Sequence, residues 1–192
     1  MQITNIRHHR IRWRLLAAQG IVVGVLSALV MLAIAMLAYP MFVEGADGWT
    51  FSKVVSTALL GDSAADPLSG FVLVPVTVGF VVHLAIGACA GASYAVLIAM
   101  FDLEGWTPVA LFGLIYGAVL FVWSSALIGI GAGGEAIGDL PLVVMLWGNI
   151  VFGLAAGVLL ATWADRADID QIESERVPAF EGDRPSRRAS MH

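Results

Sequence analysis

Charge is what this sequence has least of. Of its 192 residues only 13% are Asp, Glu, Lys or Arg, against ~25% in soluble domains. A water-exposed fold of this composition would present large apolar patches, so the soluble class is excluded first. Cysteine is nearly absent too. Cys89 stands alone, which excludes an internal disulfide; within its apolar run the thiol is expected to be a small buried group. Catalytic signatures are missing as well: there is no His-Glu-x-x-His, no Gly-x-Ser-x-Gly and no nucleophile beside a base. The glycine-rich stretch "GIGAGGEAIGD" at 129–139 lacks the Lys-Ser/Thr of a phosphate loop and reads as a flexible turn. An enzyme is therefore not expected, and neither is a nucleic-acid partner for a chain of net charge −5.

Long hydrophobic runs are abundant: 59% of the residues are hydrophobic and mean hydropathy is +0.86. A bilayer core of about 30 Å needs about 20 apolar residues. Four stretches meet that length: 15–39, 70–101, 107–130 and 140–163. The first is too long for a signal-peptide core of about 7–15 residues, so it reads as a retained span. Proline does not interrupt the last three. Pro75, Pro108 and Pro141 fall near span starts, where the ring fits a first helical turn.

Orientation follows the cationic residues. Arg7, Arg10, Arg12 and Arg14 precede span one, and Arg166, Arg176, Arg184, Arg187 and Arg188 follow span four. Only Lys53 lies in a connection. The bias places both termini in the cytoplasm and the chain in the inner (plasma) membrane. Residues 1–14 read as a basic cap touching anionic lipid. Residues 164–192 read as a charged tail, in which "ADRADIDQIESERV" can extend span four as a helix and "EGDRPSRRASMH" is disordered.

Between spans one and two, "WTFSKVVSTALLGD" carries Phe51, Val54, Val55, Ala58 and Leu59 on one helical face, with Ser52, Lys53, Ser56 and Thr57 on the other. Too short to span, it predicts an interfacial helix over about 49–61, with Trp49 at headgroup level. The alternative is a small helix packed on the bundle rim.

Glycine spacing gives the internal pattern. Span two reads His83-x-x-x-Gly87-x-x-x-Gly91, and span four reads Asn149-x-x-x-Gly153-x-x-x-Gly157. Gly20 and Gly24 in span one match Gly113 and Gly117 in span three. The spacing predicts an all-α polytopic membrane protein, built as two repeated helical hairpins plus the short helix. Lipid gives helices no hydrophobic drive to associate, and small residues four apart let backbones approach. These eight glycines are thus candidate packing residues, turned toward each other or toward spans one and three.

His83 is the only group within the spans, apart from Cys89, that titrates near neutral pH. An intramembrane ionisable group is a candidate functional residue by default. With Asn149, Tyr94 and Tyr116 it forms a candidate polar site, and the leading reading ties the ring to Asn149 or to a tyrosine. Gln19, Trp123, Ser124, Ser125 and Trp147 are expected to add polar contacts near the core or its ends. A single intramembrane histidine does not supply paired haem ligands, and no His/Cys/Asp/Glu cluster lies at membrane depth. No metal and no cofactor are expected. The partners expected are the bilayer and, beyond it, a larger membrane complex or further copies of the chain.

The sequence resembles the small uncharacterised four-helix integral membrane proteins of prokaryotes. The likeness runs over about residues 15–163 and rests on the order of "WTFSKVVSTALLGD", "HLAIGACAGASYAVL", "GLIYGAVL" and "GNIVFGLAAGVLLA". In many of these proteins a histidine precedes the last Gly-x-x-x-Gly; here Asn149 holds that place, so a paired-histidine role does not carry over. The resemblance implies a fold and a membrane address and brings no activity. The leading functional expectation is an accessory or assembly subunit. A small transporter or channel with a midplane site at His83 and Asn149 is the alternative, and a haem- or quinone-binding redox subunit is the weaker one.

Overall fold

The computed structural model describes residues 3–129 and 141–176. Most of the glycine-rich stretch at 129–139 and the end of the tail lie outside them. Five α-helices are present among the described residues: α1 (Ile3–Phe42), α2 (Thr50–Leu60), α3 (Leu73–Met100), α4 (Trp106–Gly129) and α5 (Leu142–Arg176). A short 3-10 turn, Asp62–Ala65, follows α2. No strand occurs among the described residues. Four segments are long and apolar enough to cross a membrane: Leu16–Phe42, Leu73–Met100, Trp106–Ala126 and Leu142–Trp163. The chain is a multi-pass membrane protein.

Two tight pairs make the bundle. α1 packs along α3, and α4 packs along α5. α1 also packs on α5, whereas α3 touches α4 and α5 only lightly. α1 therefore lies between α3 and α5. The connection from α3 to α4 is short, and Gly105 at φ +84° helps turn it; that backbone region suits glycine. Two buried clusters fill the interior. One joins Val23, Ala28, Tyr94, Tyr116, Phe152, Ala156 and Leu160 between the helix pairs. The other joins Leu32, Ala35, Tyr39, Phe51 and Val54, where α2 sits against α1.

α2 packs on the bundle with Phe51 and Val54 inward, as the rim-packed alternative has it, but its other face differs from the expectation. Its polar face is not turned to water: Ser52, Lys53, Ser56 and Thr57 are buried, while Ala58, Leu59 and Leu60 at its C-terminal end are exposed. Polar groups enter an interior when they find partners there. Ser56 and Thr57 donate back to the carbonyls of Lys53 and Val54. The ammonium of Lys53, fully buried, donates to the carbonyl oxygens of Pro67 and Ser69. The loop after α2 supplies acceptors that one helix's own pattern does not reveal.

Candidate functional site

The glycines meet within each hairpin. A methyl group built at Gly24 would overlap the Gly87 carbonyl and lie 2.8 Å from Gly91 Cα; one at Gly20 would lie 2.6 Å from the Gly91 carbonyl. The second pair repeats this contact. A methyl at Gly113 would overlap the Gly153 carbonyl, one at Gly117 the Asn149 carbonyl, and one at Gly157 would sit 2.9 Å from Ala110 Cα. Glycine is needed here because helix backbones occupy the space a Cβ would fill. Of the two orientations open to the stripes on α3 and α5, they face α1 and α4 rather than each other.

The stripe on α3 is longer than the sequence pattern alone marks it. Gly79, one turn before His83, is buried, and a methyl there would overlap the carbonyl of Ser52. Positions 79, 83, 87 and 91 thus form one i, i+4 row. α2 presses on its first member and α1 on the last two. The spacing is visible in the sequence, but a glycine whose partner lies outside the spans has no matching motif. Gly148 has no matching motif either, because its partner is the Met31 side chain rather than another glycine.

His83 fills the gap in that row. Its Nε2 lies 3.1 Å from the Ala28 carbonyl oxygen. A carbonyl only accepts, so Nε2 carries the proton and donates. The ring meets Phe51 edge-on at 5.4 Å between centroids and an interplanar angle of 86°. Only 8% of the residue is exposed. One imidazole therefore ties α3 to α1 by a hydrogen bond and to α2 by a ring contact. This corrects the expected tie to Asn149 or a tyrosine. α1 lies between α3 and α5, and Asn149 turns its amide back to its own helix, donating to the Met145 carbonyl at 2.8 Å. The two residues hold equivalent places in different seams and are not joined.

Tyr94 and Tyr116 are brought together. Their rings lie 5.2 Å apart. The hydroxyl of Tyr94, fully buried, donates to the Val109 carbonyl, and that of Tyr116 donates to the Ala90 carbonyl at 2.8 Å. Ser93 Oγ lies 2.6 Å from the Tyr116 hydroxyl, and Phe112 stacks on Tyr94. Here side chains, not glycines, fasten α3 to α4.

Several expected positions differ. Cys89 is exposed on the flank of α3, because two residues on from Gly87 is half a helical turn out of phase with the buried row. Gln19, Trp123 and Trp147 are likewise on the outer surface of the bundle. Ser124 donates to the Leu120 and Phe121 carbonyls within α4, while Ser125 Oγ is buried without a hydrogen-bond partner. Ser27, not singled out from sequence, is fully buried and donates to the Val23 carbonyl.

The loop beside α2 holds a carboxylate clasp. Asp47 Oδ1 accepts from the Trp49 and Thr50 amides at the start of α2, and Oδ2 accepts from the Gly70 amide. The carboxylate thereby clasps residues 47 and 70 across the whole connection. Partial burial works against its charge. The amides of Gly70 and Trp49, the Thr50 hydroxyl and the Lys53 ammonium outweigh that and hold its carboxyl below the ordinary value of 3.8. Among the described residues no three His, Cys, Asp or Glu side chains come together in a way that could hold a metal ion.

No family model, no curated protein and no solved structure matches this chain.

Proposed function

We propose that this chain is a non-catalytic scaffold of the inner membrane, an accessory or assembly subunit that acts by binding other membrane proteins or further copies of itself. One observation carries the reading. Three polar side chains of the spans donate to main-chain carbonyls of a neighbouring helix: His83 to Ala28, Tyr94 to Val109 and Tyr116 to Ala90. Such bonds lock helices in place, and glycine contacts on both pairs bring the backbones together. What the bundle then offers outward is an apolar belt and the cap built from α2 and its loops.

The same reading includes an ancestral hairpin duplication. Gly20 and Gly24 against Gly87 and Gly91 parallel Gly113 and Gly117 against Gly153 and Gly157, in the same chain order. It also places both termini in the cytoplasm, on the balance of nine arginines beyond the outer spans against one connecting lysine.

Extraction from native membranes in mild detergent, followed by size measurement and co-purification, tests the role. The expected result is a stoichiometric membrane partner or a homo-oligomer. A lone monomer that carries ions or solutes across liposomes, and loses that flux in His83→Ala, would instead favour transport.

A further inference from the structure

α2 is inside-out for a helix in water. Its polar side chains, Thr50, Ser52, Lys53, Ser56 and Thr57, are all buried. The residues that are not buried, Val55, Ala58, Leu59 and Leu60, are all apolar. A helix on a wet rim keeps its polar face outward. The reverse arrangement fits a helix with lipid on its free side, where each polar group must find its partner within the protein.

Depth points the same way. α2 lies at the end of the bundle where α1 stops at Phe42 and α3 starts at Leu73. The contacts that seat it are made further in. A methyl built at Gly48 would lie 3.4 Å from the Met36 carbonyl, and the Ser52 carbonyl fills the space beside Gly79. Met36 and Gly79 are each six residues inside the ends of their spans (36 to 42 and 73 to 79), or about 9 Å at the α-helical rise. Span Leu16–Phe42 has 27 residues and is about 40 Å long. Centred on a hydrocarbon core of about 30 Å, it overhangs by about 5 Å at each end. The first turn of α2 is therefore about 4 Å inside the apolar boundary. The Phe51 ring reaches deeper still, to His83.

Lys53 gives a third indication. Its ammonium does not turn to water. It donates to the carbonyls of Pro67 and Ser69, in the loop that leads into α3. Asp47 holds the end of that loop through the Gly70 amide, three residues before α3 begins (70 to 73). A long cationic side chain below a membrane surface carries its charge up toward that surface, and here the loop receives it.

We propose that residues 48–60 form a re-entrant helix, embedded in the leaflet at the end of the bundle where α1 stops and α3 starts. Ala58, Leu59 and Leu60 lie against acyl chains, and the polar side chains are turned into the protein. The partner of this surface is lipid, continuous with the apolar belt of the spans. The loop at 67–70, clasped by Asp47, covers the buried lysine. The placement of α2 is independent of the assembly role.

Spin labels placed singly at Ala58→Cys and Leu59→Cys test the placement. They are read in a Cys89→Ala full-length background in phosphatidylcholine liposomes. Power saturation compares access by oxygen, which concentrates in the acyl region, with access by a water-soluble nickel chelate. Val81→Cys, exposed in the middle of α3, is the lipid reference; Glu44→Cys, exposed just past the end of α1, is the water reference. Both α2 labels should group with Val81→Cys, with high oxygen access and little nickel access. Nickel access like that of Glu44→Cys would put α2 in water and overturn the proposal. Low access to both reagents would overturn it too, because protein rather than lipid would then cover the helix.

Discussion

A buried imidazole that donates to a helix carbonyl is a weaker tie than its isolation in the sequence suggests. The Ala28 carbonyl already belongs to a helical ladder, so losing His83 leaves that acceptor satisfied. Side-chain hydrogen bonds between membrane helices average roughly 0.6 kcal/mol, and the ring's packing against Phe51 adds to that. His83→Ala is expected to cost on the order of 1–2 kcal/mol and to leave a folded protein, as thermal unfolding in detergent would report. Asp47 works through charge instead. Its folded carboxyl titrates below the ordinary value of 3.8, so its stabilisation is fully present above that pH and is lost as pH falls through the folded value. Amide NMR of Trp49 and Gly70 should show the clasp releasing below about pH 3.8. Asp47→Asn should weaken the clasp at every pH and remove the transition; an unchanged acid transition in Asp47→Asn would point to another group. Neither partner was legible from sequence. The acceptor of His83 is a main-chain oxygen, which every residue possesses, and the clasp joins residues 23 positions apart. The two tyrosines were legible as inward-facing polar residues, but not their contact with each other, because that depends on how α4 returns beside α3.

At the scale of elements, the four spans and the short helix were readable because composition and periodicity report them directly. That the polar face of α2 would be buried as well as Phe51 and Val54 was not. Its apolar residues gave a clean amphipathic pattern, yet Lys53 is fully buried because the loop at 67–69 curls over it. Gly79 is the point where α2 rests on α3, through the Ser52 backbone. Gly79→Leu should lift α2 off while leaving the seam at Gly87 and Gly91 intact. Limited proteolysis should then cut within residues 43–72, with the rest of the chain still protected. Cutting elsewhere in the spans would mean that α2 is part of the bundle's minimum fold.

For the whole molecule, backbone contact inside each hairpin holds the bundle together, with the polar residues as secondary fasteners. Overpacking costs ~1–3 kcal/mol where neighbours can shift. At Gly87 the neighbours are the Ala28 side chain and the Gly24 carbonyl, and at Gly153 they are the backbones of Gly113 and Gly117. A helix backbone does not step aside without the helices parting. The pairing of stripes was only half legible. The spacing marked all eight glycines, but which stripe meets which depends on α1 lying between α3 and α5, and no motif encodes that order. Thermal unfolding and size homogeneity of Gly87→Leu, Gly153→Leu and His83→Ala, measured side by side in one detergent, test the account most directly. Both leucine variants should lose the homogeneous folded species while His83→Ala keeps it with a lowered midpoint; intact leucine variants beside a collapsed His83→Ala would contradict it.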